Sequence, residues 1–385
     1  MNRVDAQLKV LGRAQYAAEV PVANLVYGVV VTSAVAGSLA SLDTAAAKRA
    51  PGVLAVLTPS NAAQLPGAKR KQGDVDRVLQ LLQDRSLPYC ETPIAVVVAD
   101  TLERAQGAAE LLEASYLRSA VQVNLHGALG AAYAPKTAGP RAPADSARGD
   151  LQAGIAQAET QVEQTYLTPN QHHNPMEMHG LTVVWHGQDR LTLYDTSQGI
   201  FGVRQKMASI FGIAVENVRV VSHYVGGGFG CKGSAWSHVG LCALAARQVG
   251  RPVRLVLTRQ QMFSLVGYRP RTVQTLLLGA KRDGTLTAIR HSTHSETSRF
   301  DEFSEPSGLQ TRMLYTCPNV VTTHRLVRLD VPTPTFMRAP GESSGTFALE
   351  VAMDELAYEL SMDPLALRLK NYAERDEDED KPWSS

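Results

Sequence analysis

A glycine-rich turn between a predicted strand and a predicted helix constrains this chain more than any other feature. Four glycines lie within five positions of that turn: Gly226, Gly227, Gly228 and Gly230. The β-branched run Val218 to Val225 predicts a strand before it, and an apolar pattern of helical period from Ala235 to Gly250 predicts a helix after it. Glycine lets the main chain approach a ligand closely, and a helix N-terminus carries positive partial charge. The turn is therefore predicted to bind an anion, with Lys232 adding a full positive charge.

Other nucleotide-binding loops share parts of this pattern. The dinucleotide-binding fingerprint G-x-G-x-x-G fits Gly228, Gly230 and Gly233, which would make the chain an NAD-dependent dehydrogenase. The next predicted strand, however, ends in Thr258–Arg259, so the acidic residue that binds the ribose is missing. A P-loop is excluded because its lysine must directly follow a glycine, and here a cysteine precedes the lysine. A tight turn without a ligand is the remaining interpretation of the glycines alone.

Length and composition favour a globular protein of two or three domains. The 385 residues can bury a sizeable core, and 38 basic against 37 acidic residues favour neither nucleic acid nor an anionic membrane as a partner. The four cysteines lack zinc or iron–sulfur spacing, which is typical of reduced thiols. No segment has the pattern of a signal peptide or a membrane span. We therefore expect a cytoplasmic protein, periplasmic only if a partner carrying a signal exports it.

Residues 1–122 are predicted to form an α+β domain without catalytic residues. Valine-rich runs predict strands at Leu25–Ala34, Pro51–Thr58 and Pro93–Asp100. A short helix is predicted from Asp43, and a longer one after its N-cap Thr101 that extends to Tyr116. Residues 123–150 are rich in Ala, Gly and Pro without a hydrophobic period, and this composition predicts a surface linker.

Residues 151–385 are predicted to form a second domain of strands and helices. Alternating segments predict strands at Glu159–Thr168, Leu181–Gly187, Arg190–Tyr194 and Pro252–Leu257, and a hairpin closed at Asp283–Gly284. Helices are predicted at Gly202–Phe211, from a Ser343 or Ser344 cap to Glu359, and from Pro364 with Asp363 as cap. Four potential metal ligands share one loop: His172, His173, Glu177 and His179. Tandem histidines without helical spacing favour a polar loop over a metal site.

Three motifs resemble those of one known family, and they occur in the family's order. The molybdopterin-binding subunit of xanthine dehydrogenases and aldehyde oxidases has a glutamine turn that resembles TSQG (Thr196–Gly199). Its GGGFGxK loop resembles GGGFGCK (Gly226–Lys232), and its arginine–glycine turn resembles RAPG (Arg338–Gly341). Near the start, LKVLGRAQYAAEV and PIAVVVADTLERAQGAAELLEASY resemble the hammerhead domain that opens the family's large subunit. The predicted fold is α+β, a hammerhead-type α/β domain followed by the first part of a molybdenum-cofactor-binding domain.

The resemblance implies a set of cofactor contacts. Gln198 would hydrogen-bond an oxo group on molybdenum, a role suited to a neutral amide. The glycine loop would lie against molybdopterin, or its cytosine dinucleotide form, through Gly227, Gly228, Phe229 and Gly230. Arg338 would contact the cofactor from the opposite side, and no side chain is expected to bind the metal directly. From the residues alone, Gln198 could equally be a turn residue facing water, and Arg338 a surface arginine.

Two substrate-pocket positions depart from the purine-oxidising members of the family. Gly233 stands where those members have a glutamate that hydrogen-bonds the purine, and Pro340 stands where they have a stacking phenylalanine. Without the acid and the ring, purine recognition loses its polar contact and its stacking surface. The loop QHHNPMEMHG also resembles the version found in aldehyde-oxidising members. We therefore expect an aldehyde, including aromatic aldehydes, or an N-heterocycle, and not xanthine.

The resemblance implies oxidative hydroxylation with water as the oxygen source. Electrons would pass to partner subunits that carry [2Fe-2S] clusters and FAD, because this chain has no cluster-ligand cysteines. The family sequence continues for about as long again, and its second half carries the general-base glutamate, so no catalytic residue is assigned here. Either a separate polypeptide supplies that half or the reading frame is truncated. The alternative is a catalytically silent half-subunit that acts in assembly or structure.

Overall fold

The computed structural model describes residues 3–67, 78–139, 142–378 and 380–382. The chain divides into two units, each built from segments that are distant in sequence. Unit 1 comprises Met1–Val121, His172–Gly267 and Asp330–Pro332, and unit 2 comprises Gln122–Gln171, Tyr268–Leu329 and Thr333–Ser385. The prediction divides the chain into consecutive domains at residues 122 and 150, whereas each unit combines segments from separate parts of the sequence. Those boundaries stay a prediction.

The described residues contain helices together with mostly antiparallel strand pairs, as expected of an α+β fold. The α-helices of the described residues are α1 Ala6–Val10, α2 Ala45–Arg49, α3 Leu102–Ala109, α4 Leu151–Ala156, α5 Ile200–Phe211, α6 Ser237–Val249, α7 Met262–Leu265, α8 Glu342–Glu359 and α9 Pro364–Lys370. The strands are β1 Val26–Thr32, β2 Gly37–Asp43, β3 Val53–Leu57, β4 Ser86–Leu87, β5 Pro93–Ala99, β6 Glu113–Arg118, β7 Thr137–Ala138, β8 Ala142–Pro143, β9 Ser146–Arg148, β10 Thr160–Thr168, β11 Gly180–His186, β12 Arg190–Asp195, β13 Val218–Val221, β14 Val253–Val256, β15 Thr272–Ala280, β16 Leu286–Ser298, β17 Val320–Leu329, β18 Arg375–Asp376 and β19 Lys381–Pro382.

Unit 1 is built on a seven-stranded mixed sheet in the order β13-β12-β11-β14-β1-β5-β3. Its pairs are antiparallel except β1 with β14 and β12 with β13, which are parallel. Strand β5 is buried at every position, as its continuous apolar run predicts, because a strand covered on both faces needs no polar alternation. Apolar residues of α5 and α6, such as Met207 and Leu241, share one core with the sheet residues Val183 and Leu193. A second sheet has the order β4-β2-β6.

The parallel pairing of β12 with β13 positions the two predicted site turns of unit 1. Tyr194 is paired with Val221 at the ends of these strands. Strand β12 leads into the TSQG turn and α5, and β13 leads into the glycine loop and α6. Because both strands run in the same direction, both turns leave the same edge of the sheet, where open α/β sheets bind ligands.

Unit 2 contains a five-stranded sheet in the order β10-β15-β16-β17-β9. Its pairs are antiparallel except β16 with β17. Helix α8 buries Leu349, Met353 and Leu356 in a core that includes Leu276 and Leu278 of β15. The apolar residues on one side of the helix thus cover the apolar residues of the strand, and their burial stabilises the unit.

The helix predicted from Thr101 to Tyr116 is too long. Thr101 is the N-cap, since its hydroxyl oxygen accepts a hydrogen bond from the Arg104 N–H, but α3 ends at Ala109. The residues that follow form β6, which pairs with β2. Ala114 and Tyr116 of that strand pack against the buried cluster of Leu39, Leu87 and Ile94. Tertiary packing therefore overrides the helix propensity of the sequence ELLEA.

Two other predicted boundaries differ from the structure, and one is confirmed. The predicted strand Val218–Val225 ends at Val221, and one turn of 3₁₀-helix, Cys231–Gly233, precedes α6. The predicted cap of α8 is wrong, because the helix begins at Glu342 after Gly341 and has no side-chain cap. The cap Asp363 of α9 is confirmed, since its carboxylate accepts from the Ala366 N–H.

The predicted linker, residues 123–150, has more structure than its composition indicates. A 3₁₀-helix spans His126–Ala131, and β9 pairs with β17 at the edge of the unit 2 sheet. Pro140 and Arg141 of the linker lie outside the described residues. Among the residues that the structure describes, no helix has the length and apolar character needed to cross a membrane.

Candidate cofactor-binding site

In unit 1, the Gln198 turn lies directly on the glycine loop. The Gln198 N–H donates to the Lys232 carbonyl oxygen at 2.8 Å, and the Gly230 N–H donates to Gln198 Oε1 at 3.0 Å. A Cβ on Gly228 would be 2.3 Å from Gln198 Oε1, so only glycine permits this approach. The structure thus brings together two motifs that are about thirty residues apart in sequence.

The bond from Gly230 fixes the orientation of the Gln198 amide. An amide group has one accepting oxygen and one NH2 group with two donors. Since Oε1 accepts from Gly230, Nε2 is directed away from that N–H. The side chain is exposed, and within the described part of the chain no acceptor is in hydrogen-bond distance of Nε2. Both Nε2 donors of Gln198 are therefore without a protein acceptor in the described part of the chain.

The backbone of the glycine loop also offers donors. Gly227 has a φ of +95° and Phe229 a φ of +55°, on either side of Gly228, which has no positive φ. Successive backbone N–H groups in turn conformations can form a concavity that binds anions. No acceptor for the N–H groups of Gly227, Gly228 and Phe229 is found among the described residues. Phe229 is 45% exposed, and its positive φ is unfavourable for a residue with a bulky side chain.

Lys232 does not add a free charge to this loop, so that prediction is wrong. Its side chain is completely buried, and Nζ lies 2.8 Å from Glu177 Oε2 and 3.0 Å from the Glu177 carbonyl oxygen. Burial lowers the pKa of Lys232, while the hydrogen bond and the charge of Glu177 raise it. The charge of Lys232 is balanced by Glu177 inside the protein, and the loop donors without an acceptor among the described residues are backbone N–H groups.

Several titratable groups lie buried beneath the loop. Burial raises the pKa of Asp195 to about 7 and lowers the pKa of His238 to about 3. His179 contacts the Cys231 sulfur at 3.2 Å through Nε2, and its ring packs edge-on against His238. Burial raises the pKa of Cys231 to about 12, which keeps this thiol protonated and unreactive at neutral pH. These buried groups surround the Cys231–Lys232 end of the loop.

The histidine loop does not provide a metal centre in the described part of the chain. Glu177 binds Lys232, and His179 contacts a protonated thiol. No group of three or more His, Cys, Asp or Glu residues is arranged to hold a metal ion among the described residues.

In unit 2, Arg338 and Pro340 are exposed on the turn that precedes α8. The backbone of that turn is unusual, since Ala339 has a φ of +56° and Gly341 a φ of +83°. One nitrogen of Arg269, Nη2, donates to the carbonyl oxygens of Met337, Arg338 and Ala339 at 2.5 to 3.1 Å. A buried cation therefore holds the turn from below, and the Arg338 side chain stays at the surface.

A carboxylate completes the support of this turn. Glu305 Oε1 lies 3.3 Å from Arg269 Nε, accepts from the Gly341 N–H at 2.8 Å, and accepts from the Ser344 hydroxyl at 3.2 Å. Both charged side chains are almost fully buried, and burial raises the pKa of Glu305. A Cβ on Gly341 would be 2.5 Å from the Pro306 carbonyl oxygen, so glycine is needed at this position.

Sequence reasoning missed Arg269, Glu305 and the role of Glu177. The signal for Arg269 is a charged residue between the apolar SLVGY segment and the largely apolar β15. A charge in such a buried stretch needs a partner of opposite sign. Nothing in the sequence identifies that partner as Glu305.

Comparison with known proteins gives the family. The profile of the molybdopterin cofactor-binding domain matches residues 135–372. The profile described as aldehyde oxidase and xanthine dehydrogenase, a/b hammerhead domain, matches residues 11–119. The chain belongs to the molybdopterin-binding subunit family of aldehyde oxidases and xanthine dehydrogenases. This confirms the family and the α+β fold predicted from the sequence.

Individual relatives agree with this family. The aldehyde oxidoreductase molybdenum-binding subunit PaoC of Escherichia coli K12 is 40% identical over 373 residues, which is 96% of this chain and 49% of the relative. The xanthine dehydrogenase molybdenum-binding subunit of Escherichia coli O157:H7 is 29% identical and is matched over 51% of its length. The chain thus spans about half the length of the curated relatives that it matches.

Solved structures of the family share the fold. The aldehyde oxidoreductase of Desulfovibrio gigas superposes with a TM-score of 0.82 at 25% identity, over 96% of this chain and 43% of that one. Quinoline 2-oxidoreductase of Pseudomonas putida 86 superposes with a TM-score of 0.84 at 22% identity, over 97% of this chain and 49% of that one, and shows the fold alone. The roles of Gln198, the glycine loop and Arg338 within this family member stay predictions.

Proposed function

We propose that this chain is part of a molybdenum hydroxylase that oxidises aldehydes. In unit 1, molybdopterin would be held by Gln198 and the glycine loop from Gly227 to Gly230. The observation that carries this proposal is the Gln198 amide, whose oxygen accepts from Gly230 and whose NH2 group has no acceptor among the described residues. Arg338 on the unit 2 turn stays a predicted cofactor contact.

The donor set fits an anionic, oxygen-rich cofactor. The loop offers the N–H groups of Gly227, Gly228 and Phe229, and Gln198 adds two donors without a charge. A Cβ at Gly228 would fill the place of the Gln198 amide, so the loop is shaped to keep that amide in position. The charge of Lys232 is already balanced by Glu177. Binding would therefore depend on hydrogen-bond geometry, with main-chain donors fixed before the cofactor arrives.

The cofactor, when bound, supplies the two-electron oxidation, with water as the oxygen source. The described residues of unit 1 bind and orient it. Two carboxylates beside the predicted turns are occupied, since Glu177 binds Lys232 and Glu305 binds Arg269, whereas Glu342 at the start of α8 is exposed. As the family resemblance implies, the general base would come from a second polypeptide, and electrons would pass to iron–sulfur and FAD subunits. The relatives' description as molybdenum-binding subunits supports such an assembly.

The preferred substrate would be an aldehyde, including aromatic ones. One support is the pair of departures from the purine-oxidising members, Gly233 in unit 1 and Pro340 in unit 2. The other is sequence identity, which is 40% to an aldehyde oxidoreductase subunit and 29% to a xanthine dehydrogenase subunit. A site that lacks the acid and the aromatic ring loses polar and stacking contacts to a purine. N-heterocycles other than purines stay within the proposal.

A catalytically silent role in assembly is the second candidate, favoured by the match to only about half the length of the relatives. The test is to purify the chain alone and together with a polypeptide that supplies the remaining length of the family. Elemental analysis should find little molybdenum in the isolated chain and stoichiometric molybdenum in the pair. The pair should show a higher kcat/KM for benzaldehyde than for xanthine. Molybdenum without aldehyde turnover in the pair would favour the silent role, and a preference for xanthine would contradict the substrate proposal.

A further inference from the structure

We infer that Glu177 is a positioning residue, which fastens the glycine loop to the turn that carries Gln198. This inference rests on the proposed function only where it concerns the cofactor. The contact itself is a property of the folded chain. Glu177 lies in the histidine-rich loop before β11, and it does not belong to either of the two segments that it joins.

A single oxygen of Glu177 receives hydrogen bonds from three sides. Oε2 accepts from the Thr196 hydroxyl at 2.6 Å, from the Gly226 N–H at 2.7 Å and from Lys232 Nζ at 2.8 Å. The Glu177 N–H in turn donates to the Gly226 carbonyl oxygen at 3.0 Å. Hydrogen bonds to a charged group are shorter and stronger than those between neutral groups.

These contacts join the first residue of the TSQG turn to the first residue of the glycine loop. Thr196 begins the TSQG turn, and Gly226 begins the glycine loop. The bond from the Gln198 N–H to the Lys232 carbonyl oxygen joins the same two segments at a second point. Two connections prevent one segment from sliding along the other. The Gly230 N–H and Gln198 Oε1 consequently stay at 3.0 Å, which leaves the NH2 group of Gln198 available to a ligand.

Glycine at position 226 is part of the same contact. A Cβ there would lie 2.5 Å from the Glu177 Cβ, so the loop can approach this side chain only without one of its own. Lys232, with no exposed side-chain surface, needs the carboxylate to balance its charge. Glu177 therefore combines two separable roles: it balances the buried charge, and it accepts bonds from Gly226 and Thr196.

Two neutral double variants separate these roles. Glu177→Gln with Lys232→Met removes both charges and keeps an accepting oxygen at position 177. Glu177→Ala with Lys232→Met also removes both charges but leaves no acceptor for Gly226 and Thr196. The matched control is Glu216→Gln, at an exposed glutamate of the same unit.

Amide hydrogen exchange of Gly226 and Gly230 in the full chain is the first measurement, with the buried Val96 of β5 as reference. We expect about tenfold faster exchange at both glycines in the alanine double variant than in the glutamine double variant. The reason is that only the alanine variant removes the oxygen that accepts hydrogen bonds from Gly226 and Thr196. Val96 should exchange equally in the two. Equal exchange at the glycines would refute the positioning role.

If the alanine double variant fails to fold, Thr196→Val removes one donor and leaves both charges in place. It should accelerate exchange at Gly226 and Gly230 by about fivefold, and unchanged exchange would refute the inference. The second measurement is molybdenum content after co-expression with the remaining half, where the alanine double variant should contain about tenfold less than the glutamine one. A wild-type pair without molybdenum would refute the proposed function, whereas the exchange result would still decide the role of Glu177.

Discussion

Replacing Gly228 with alanine is the sharpest test of the contact between the glycine loop and Gln198. The added Cβ would lie 2.3 Å from Gln198 Oε1, 2.5 Å from its Cδ and 3.0 Å from its Cγ. Gly228 does not have a positive φ, so alanine can adopt the same backbone conformation without strain. The substitution therefore acts through the collision with the Gln198 side chain.

The expected loss of stability is small. Gln198 is exposed, so its amide, at the end of a flexible side chain, can rotate away from the new methyl group. The Gly230 N–H then loses its acceptor, and one such bond contributes about 1 kcal/mol to the free energy of unfolding. A loss of that size lowers Tm by about 2 to 4 °C for a unit of this length. The orientation of the amide, in contrast, is lost completely.

The assay compares thermal unfolding with the molybdenum content of the co-expressed protein. We expect Gly228→Ala to reduce the molybdenum content about tenfold, because a hydrogen bond to a buried, charged ligand is lost. The Tm should fall by only a few degrees. The control is Gly202→Ala in α5, where a Cβ meets nothing within 4 Å. This control should raise stability by about 0.5 to 1 kcal/mol and leave the molybdenum content unchanged. Full molybdenum content in Gly228→Ala would refute the proposed role of the Gln198 amide.

Two further predictions concern buried charges. Arg269→Met should lower the free energy of unfolding by about 3 to 5 kcal/mol, because Glu305 is left buried without its cation. The double variant Arg269→Met with Glu305→Gln should recover much of this loss. Equal denaturant midpoints for the single and the double variant would contradict this prediction. Burial raises the pKa of Asp195 from 3.8 to about 7, so its stabilising contribution is complete below pH 3.8 and is lost as pH rises toward 7. Asp195→Asn should remove that part of the pH dependence. If the free energy of unfolding of this variant, measured by denaturant between pH 4 and 7, changes with pH as in the wild type, Asp195 is not its source.

Much of the fold follows from local patterns in the sequence. The buried strand β5, the cap Asp363 and the helix end at Gly250 each depend on residues next to one another in the chain. Helix α6 ends where Gly250 adopts a φ of +62°, a conformation that glycine accepts readily. Such features can be predicted because their causes lie within a few residues.

The site required information that local patterns do not contain. The sequence predicts that Lys232 adds a full positive charge at the loop, because its burial cannot be read from its neighbours in sequence. Its partner Glu177 is 55 residues away, and Arg269 and Glu305 are brought together only by the fold of unit 2. The segment after Ala109 favours a helix by composition, but pairing with β2 makes it a strand. Contacts between distant segments decided each of these cases.

The interleaved sheet of unit 1 has a consequence for how the protein is made. Strand β14 lies between β11 and β1, and it pairs Val26 with Val253. During synthesis at about 5 to 20 residues per second, β1 leaves the ribosome roughly 10 to 45 seconds before the strand that covers its edge. The nascent sheet carries an unpaired edge throughout that interval, and such edges readily bind other extended chains. We therefore expect the first 250 residues to need a chaperone or fast downstream synthesis, although β14 is paired with a strand on each side in the finished sheet.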